Sequence, residues 1–162
     1  MNVSIRQVRL DDLDAVTRVE AVCFPQAEAA TRDSFLQRIQ TFPESFLIGE
    51  KEGAIIGFIN GCVTDDRTIC DEMFETADYH RSEGAWQAVF GLDVVPQWQH
   101  RGVASQLMEA LIQKAAEAGR KGLILTCKEN LIGFYESFGY RNTGVSASAH
   151  GGAVWYDMML EL

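Results

Sequence analysis

The sequence lacks the features that mark three common classes of protein. No apolar run approaches the roughly 20 residues that a membrane-spanning helix needs. The N-terminus has neither the basic start nor the apolar stretch of a signal peptide. With 14 basic and 23 acidic residues, the chain has no excess of Lys and Arg for contacting phosphate along a nucleic acid. We therefore expect no membrane partner, no nucleic-acid partner and a cytoplasmic location.

Cysteine and proline are scarce as well. The four cysteines form no CxxC pair and the three histidines are dispersed, so we expect free thiols, no disulfide scaffold and no bound metal. Only three prolines are present, and no repeat or Pro/Ser-rich tract marks a linker. A chain of 162 residues can bury a full core, which predicts one domain over residues 1–162. We expect a monomer or a homodimer.

Apolar residues recur with the periods of both strands and helices. Apolar-polar alternation and short apolar runs predict strands over 3–8, 46–49, 54–63, 88–95, 122–127, 140–143 and 153–160. Helical spacing predicts a helix after Asp11, one capped by Thr31, one from Val103 to a cap at Gly119, and a short one over 131–138. The sequence therefore predicts an α/β (α+β) fold.

The segment that carries chemistry is the turn between strand 88–95 and the helix that follows it. Residues Gln99 to Ser105 (QHRGVAS) place a glycine and small residues ahead of an amphipathic helix. The first N–H groups of a helix have no partner inside it, and the helix dipole favours an anion there. Arg101 adds a formal charge, and residues 99–128 hold five basic and two acidic residues. A pyrophosphate would fit this turn, although most such turns are purely structural.

Two motifs together resemble one family. The pattern Gln-x-x-Gly-x-Ala follows a Val-Val-Pro strand end, and Phe134-Tyr135-Glu136-x-Phe138-Gly139-Tyr140 comes later. This combination resembles the GCN5-related N-acetyltransferase (GNAT) family. The resemblance implies a mixed, mostly antiparallel sheet flanked by helices. Its two central strands, near 88–95 and 122–127, would run parallel and splay apart to form a cofactor slot.

The resemblance also implies acetyl-CoA as the co-substrate. In this family the turn before the helix cradles the pyrophosphate, and the backbone of the splayed strand pairs with the pantetheine arm. The cofactor-binding residues implied here are Leu92, Asp93, Val94, His100, Arg101, Gly102, Val103, Ala104 and Ser105.

Within the family, the segment 125–135 (LTCKENLIGFY) looks most like the arylalkylamine (serotonin) N-acetyltransferase branch. The resemblance implies that Tyr135 is the general acid that protonates the departing CoA thiolate; a core aromatic is the alternative. That branch carries two histidines on the central strand as a proton relay. The matching positions here are Ala88 and Phe90, so the general base stays unassigned. Asp93, a carboxylate on the same strand, is one candidate proton acceptor.

The segment 65–83 is the most acidic and least regular part of the chain, with seven acidic and two basic residues. Four residues in it, Asp71, Glu72, Met73 and Phe74, combine carboxylates with apolar side chains. They form a candidate substrate site, in which the carboxylates bind an ammonium group and the apolar side chains contact its carbon skeleton. A solvated acidic loop is the alternative. The loop around His150 either borders this site or is a plain hairpin connection.

These observations predict an acetyl-CoA-dependent N-acetyltransferase. It would transfer an acetyl group to a small-molecule primary amine by direct attack in a ternary complex. One alternative is a protein or peptide N-acetyltransferase that uses the acidic segment to bind a lysine or an N-terminus. The other is a catalytically silent CoA-binding module. The sequence does not identify the amine.

Overall fold

A computed structural model describes residues 3–162 and shows nine strands and five α-helices in that range. The strands are β1 (Ser4–Gln7), β2 (Phe46–Lys51), β3 (Ala54–Asn60), β4 (Val63–Thr64), β5 (Trp86–Val89), β6 (Gly91–Val94), β7 (Gly122–Cys127), β8 (Arg141–Val145) and β9 (Tyr156–Glu161). The helices are α1 (Leu13–Cys23), α2 (Arg32–Thr41), α3 (Asp71–Glu75), α4 (Val103–Glu117) and α5 (Ile132–Glu136).

The strands form two sheets in which antiparallel pairing dominates. The first sheet has the order β1-β2-β3-β6 and the second has the order β4-β5-β7-β9-β8. Among residues 3–162, β5 and β7 are the only parallel pair, with Ala88 opposite Ile124. The six remaining pairs are antiparallel. The predicted mixed, mostly antiparallel α/β fold is confirmed.

The central strand changes sheets at Phe90. The sequence predicts one strand over 88–95, and this boundary is wrong: β5 pairs with β7 in the second sheet, whereas β6 pairs with β3 in the first. The chain cannot follow both sheets, and Gly91 marks the point of departure, as glycine inside a strand often does. Beyond Val89 the chain leaves β7, which continues to Cys127 beside β9. The two central strands therefore splay apart, as predicted.

The strand next to this break is also divided. The sequence predicts one strand over 54–63, but β3 ends at Asn60 and β4 begins at Val63. A Cβ atom on Gly61 would lie 1.9 Å from the carbonyl oxygen of Ala88. Only glycine permits this backbone approach, which joins the two sheets at the point where they diverge.

Helices cover both faces of the first sheet. Adjacent strand residues point to opposite faces, and in β2 Ile48 packs with α1 and α2 while Leu47 packs with α4. Helix α4 buries the row of side chains that runs from Val103 through Leu107 and Leu111 to Ala115. The splayed strands are thus held between helices on either side.

Two helix ends follow from local sequence as predicted. Thr31 Oγ1 accepts a hydrogen bond from the Ser34 N–H (3.2 Å) and caps α2. Gly119, at φ +75°, ends α4, and the Arg120 N–H donates to the Ala115 carbonyl (3.0 Å). Within residues 3–162 none of the helices has the length and apolar character needed to cross a membrane.

Candidate active site

A cavity of about 440 Å³ opens where the two sheets diverge. Gly91 and Leu92 form one wall and Leu125 and Cys127 form another. β6 is the last strand of its sheet in the part of the chain that the structure describes, so one of its edges has no strand partner there. The backbone polar groups on that edge can pair with an extended ligand, as an added strand would.

The turn from β6 into α4 presents unpaired backbone N–H groups. Gly102 is the N-cap of α4 at φ +84°, and His100 lies at φ +62°. The first backbone hydrogen bond of the helix runs from the Gln106 N–H to the Gly102 carbonyl (3.1 Å). Within residues 3–162, the backbone hydrogen bonds outside the helices and strands include none that is donated by the N–H groups from His100 to Ser105. These N–H groups and the helix dipole favour an anion, so this turn is a candidate anion site.

The glutamine of the motif ties this turn to β6. Gln99 Nε2 donates to the Val94 carbonyl (3.0 Å), and the Cys23 thiol donates to the same oxygen (3.3 Å). These bonds fix the anion site relative to the open edge of β6. On the other side of the turn, the Arg101 guanidinium lies 5.4 Å from the centre of the Trp98 ring, a cation–π arrangement.

Tyr135, on α5, lines the cavity and is buried. Its ring packs at a steep angle against Phe134 and Tyr140, with centroids 5.1 and 5.9 Å away, and this packing fixes the direction of the phenol. Burial raises the pKa of the Tyr135 hydroxyl, and Cys127 and Asp93 add to the effect. Tyr135 is therefore protonated at neutral pH, as a proton donor must be.

Cys127 lies at the same wall but is not equipped as a nucleophile. Burial raises the pKa of its thiol to about 11. The thiolate is the reactive form of cysteine, and it is scarce at neutral pH when the pKa is this high.

Helix α3 brings two of the four candidate substrate residues to the cavity. Asp71 and Phe74 line it, together with Glu75. Met73 is buried in the core, and Glu72 is exposed away from the cavity lining. The helical period explains the division, because residues three and four positions apart share a face while the intervening ones point elsewhere.

The loop before β9 closes one side of the cavity. The Ser148 hydroxyl donates to the Asp71 carboxylate, so Asp71 anchors this loop as well as facing the cavity. The His150 ring stacks on Phe74 with centroids 4.7 Å apart, and its Nε2 hydrogen-bonds the Glu28 carbonyl (2.8 Å). His150 thus borders the cavity, one of the two positions that the sequence left open.

Sequence reasoning missed a buried polar cluster beside Gly91. Its members are Glu20 of α1, Arg38 of α2, Asn60 of β3 and Asp93 of β6, all of them buried. Arg38 Nη1 donates to Asn60 Oδ1 (3.0 Å), and the Ala30 N–H donates to Glu20 Oε2 (2.8 Å). One signal was available: Glu20 follows Val16 by four residues on the buried stripe of α1, where a core helix carries apolar side chains.

Within residues 3–162, four polar atoms of this cluster are buried without a hydrogen-bond partner: both oxygens of Asp93, Glu20 Oε1 and Asn60 Nδ2. Burial raises the pKa of Asp93 well above its usual range, and the neighbouring Glu20 carboxylate raises it further. Burial lowers the pKa of Arg38 to about 10, which still leaves it charged at neutral pH. Burial and the neighbouring carboxylate therefore favour the neutral, protonated form of Asp93.

We expect Asp93→Asn to raise the melting temperature at neutral pH. Because the pKa of Asp93 is raised in the fold, folding takes up a proton above the pKa of the unfolded carboxyl. The free energy of unfolding of the wild type therefore falls as the pH rises from about 4 towards the folded pKa. Asparagine takes up no proton, so the free energy of unfolding of Asp93→Asn should increase relative to that of the wild type over that pH interval. Thermal unfolding at several pH values measures this difference.

Asp12→Asn is the matched control, and we expect it to lower the melting temperature at neutral pH. Burial acts to raise the pKa of Asp12, but hydrogen bonds from Arg6 and the Arg9 N–H outweigh it and lower the pKa. This pairing stabilises the fold above pH about 4, so its loss at neutral pH should cost about 1–3 kcal/mol of unfolding free energy. Equal destabilisation by both substitutions would contradict a neutral Asp93.

The site combines an open strand edge, an anion site at one end and an acidic cavity with a buried phenol at the other. This arrangement fits the class of proteins that bind an acyl-CoA thioester and present its acyl group to an acceptor. The sequence profile of the Acetyltransferase (GNAT) family matches residues 13–140. The chain belongs to this family, and the family and fold class predicted from the sequence are confirmed.

The relatives that are recognisable by sequence include two proteins with names. The chain is 28% identical over 132 residues to the Bacillus subtilis (strain 168) protein named Probable hydrolase YhcX, covering 75% of this chain and 25% of that protein. It therefore spans about a quarter of the length of YhcX. It is 25% identical over 156 residues to serotonin N-acetyltransferase of Mesocricetus auratus, covering 93% of this chain and 73% of that protein.

Solved structures share the fold at low sequence identity. The GphF GNAT-like decarboxylase in complex with isobutyryl-CoA has a TM-score of 0.84 and 22% identity, covering 98% of each chain. The loading GNATL domain of CurA from Lyngbya majuscula has a TM-score of 0.85 and 16% identity, covering 99% of this chain and 98% of that one. The Salmonella typhimurium protein yncA, solved with its cofactor acetyl-CoA, has a TM-score of 0.73 and 20% identity, covering 100% and 95%.

Proposed function

We propose that this protein is an N-acetyltransferase that moves the acetyl group of acetyl-CoA to the nitrogen of a primary amine. The observation that carries the proposal is the acidic cavity at the open edge of β6, with Tyr135 in its wall. Membership of the GNAT family supports acyl transfer. The yncA complex with acetyl-CoA supports the donor, and the serotonin N-acetyltransferase relative supports an amine acceptor.

The donor would be held at both ends of the open edge. Its pyrophosphate would bind the N–H groups from His100 to Ser105, with the charge of Arg101 nearby. Its pantetheine arm would pair with the backbone from Leu92 to Val94. Gln99 keeps these two subsites in register through its bond to the Val94 carbonyl. Acetyl-CoA supplies an activated acyl group, and the protein supplies its position next to the cavity.

The charge of the cavity favours a cationic acceptor. The carboxylates that line it outnumber the single arginine, Arg38; they are Glu20, Glu28, Asp71 and Glu75. Such a wall attracts an ammonium group and repels a carboxylate. A decarboxylation, the reaction in the name of GphF, needs a substrate with a carboxyl group, which this cavity disfavours. Phe74, His150 and Trp155 add apolar ring surface for the carbon skeleton of the amine.

The acetyl transfer to a bound ammonium group would need three proton movements, the first of which is the loss of one proton to water that frees the nitrogen lone pair. The amine nitrogen must lose a proton as it bonds to the acetyl carbon, and the CoA sulfur must gain one as the carbon–sulfur bond breaks. The buried, protonated phenol of Tyr135 is the proposed donor to sulfur. The amine would attack the thioester directly, so the transfer needs no nucleophile from the protein and gives Cys127 no covalent role.

We expect Glu75→Gln to weaken the binding of a cationic amine without slowing the chemical step. Glu75 is exposed at the cavity rim, so the loss of its charge should raise KM for the amine by up to about fivefold, with kcat unchanged. The increase should shrink at high salt, because salt screens exposed charges. Steady-state kinetics at two ionic strengths checks this.

Asp78→Asn is the matched control for that substitution. Asp78 is an exposed acid of the same segment and does not line the cavity. The Asp78→Asn substitution removes one negative charge, as Glu75→Gln does, at a position three residues further along the chain. If both variants raise KM equally, the effect belongs to the overall charge and not to the cavity.

The proposal is tested by titration calorimetry with acetyl-CoA, followed by an assay of CoA release with a panel of acceptors. The panel contains aromatic and aliphatic primary amines, a peptide with a free N-terminus and a lysine peptide. A separate reaction replaces acetyl-CoA by malonyl-CoA. CoA release that depends on a small amine supports the proposal. CoA release with peptides alone would point to a protein acetyltransferase. Loss of CO₂ from malonyl-CoA would point to a decarboxylase. Binding of acetyl-CoA without CoA release would point to a catalytically silent module.

A further inference from the structure

Beyond the donor and acceptor, we propose that Glu20 takes up the proton of the attacking amine and that Asp93 positions Glu20 by sharing a proton with it. This inference rests on the proposed N-acetyl transfer. Glu20 is the catalytic residue in this account, because it faces the cavity. Asp93 is a positioning residue, because it is enclosed behind Gly91.

Because residue 91 is a glycine, no side chain at this position separates the carboxyl groups of Glu20 and Asp93 from the cavity. A Cβ atom there would lie 3.1 Å from Asp93 Oδ1 and 3.7 Å from Glu20 Oε1. Both of these oxygens are buried without a protein partner, while Gly91 and Glu20 themselves line the cavity. The unpaired oxygens therefore gather at the spot where the splayed strand leaves its sheet, next to the edge proposed to hold the thioester.

Two adjacent buried carboxyl groups cannot both be ionised without a large cost, so they share one proton. The proton belongs on Asp93, whose oxygens receive no protein N–H or O–H donor in the described part of the chain. The charge belongs on Glu20, because its Oε2 accepts the Ala30 N–H (2.8 Å). The Asp93 O–H then donates to Glu20, which satisfies the second oxygen of the carboxylate.

Other groups around the pair allow a single negative charge there. Arg38, from α2, is cationic and compensates Glu20, so the buried cluster is neutral as a whole. The thiols of Cys23 and Cys62 are neutral, because burial raises the pKa of both, that of Cys62 to about 12. Tyr135, in the lining of the same cavity, is a neutral phenol. Within this cluster, Glu20 is therefore the carboxyl group proposed to accept a proton.

The proton balance of the transfer follows from these assignments. The bound ammonium first loses one proton to water, which frees the nitrogen lone pair. That lone pair forms the nitrogen–carbon bond, and a second N–H proton passes to the Glu20 carboxylate. The carbon–sulfur bond breaks, its electron pair stays on sulfur, and the Tyr135 O–H protonates that sulfur. Glu20 then carries one extra proton and Tyr135 lacks one, so a proton returned through the cavity restores both. The products are the N-acetyl amine and CoA.

The first test compares Glu20→Gln with wild type. Glutamine keeps an oxygen for the Ala30 N–H but cannot accept the amine proton at neutral pH. We expect kcat to fall by roughly 10²- to 10⁴-fold, the usual contribution of a positioned base, with unchanged acetyl-CoA affinity and loss of the acid limb of the pH profile. Glu117→Gln, at the exposed far end of α4, is the control and should match the wild type.

The second test separates the two carboxyl groups. Asp93→Asn replaces the proposed neutral acid by another neutral donor, so kcat at the optimum should stay within about tenfold of wild type while the acid limb shifts. Gly91→Ala places a methyl group between the pair and the cavity and should lower kcat without lowering acetyl-CoA affinity. Wild-type turnover in Glu20→Gln would overturn the proposal, and so would a loss in Asp93→Asn as large as that in Glu20→Gln.

A readout that needs no turnover separates this inference from the proposed function. Infrared spectra of the folded protein at neutral pH should contain the carbonyl stretch of a buried protonated carboxyl group. That band should vanish in Asp93→Asn and remain in Glu117→Gln. Its absence from the wild type would overturn the shared proton even if amines are acetylated. Its presence in a protein that acetylates no amine would refute the proposed function alone.

Discussion

Replacing Gly102 with aspartate is expected to reduce acetyl-CoA affinity by on the order of 10²-fold while the protein stays folded. The new carboxylate would stand at the N-cap of α4, among the N–H groups that we propose for the pyrophosphate. Like charges forced together at a binding site cost several kcal/mol. Apart from its two chain neighbours, no atom of residues 3–162 lies within 4 Å of a Cβ at this position, so the side chain itself meets no steric obstacle. Titration calorimetry measures the loss.

Two variants separate charge from backbone strain in that experiment. Gly102→Asn brings nearly the same shape and the same strain at φ +84° without the charge, and should lose far less affinity. Gly119→Asp brings the same charge and a comparable strain at φ +75°, also in open space, but at the other end of α4. It should bind acetyl-CoA like the wild type. Equal affinity in all three variants would refute the anion site.

Tyr135→Phe should lower turnover by roughly 10²- to 10⁴-fold, because it removes only the oxygen that would protonate the leaving sulfur. Acetyl-CoA affinity should change little, since the phenol acts when charge develops on sulfur. The ring keeps its packing against Phe134 and Tyr140, so the melting temperature should also hold. Single-turnover kinetics with saturating acetyl-CoA and an amine from the panel checks the first expectation.

Tyr140→Phe is the matched control. Tyr140 is buried in the same aromatic group, but its hydroxyl donates to Met108 Sδ (3.4 Å) and does not line the cavity. Turnover in this variant should equal that of the wild type. A folded Tyr135→Phe protein with wild-type turnover would end the role of Tyr135 as the acid and leave water as the proton source.

The parts of the site that lie close together in sequence could be predicted from it. The turn from Gln99 to Ser105 is one contiguous segment, and its glycine, its small residues and the helix after it specify the local backbone. The splay of the central strands could be predicted only from the family resemblance. An apolar run such as 88–95 is compatible with one strand, and its change of sheet at Phe90 depends on pairing with distant segments.

The buried polar cluster could not be predicted because its members come from four separate segments. Glu20 interrupts the apolar stripe of α1, but nothing in the local sequence links it to Asn60 or Asp93, and only the packing of α1 on β3 and β6 brings the three together. The division of the acidic segment has a similar origin. Whether Asp71 or Glu72 faces the cavity depends on the rotation of a five-residue helix, which is set by the burial of Met73.

The stoichiometry of the products decides whether this protein is an amine acetyltransferase. The protein is incubated with acetyl-CoA and each amine in turn, and mass spectrometry measures free CoA and N-acetyl amine in the same sample. We expect CoA to appear only when an amine is present, in amounts equal to the N-acetyl product. CoA release without N-acetyl product, or tight acetyl-CoA binding with no amine acetylated across the panel, would contradict it.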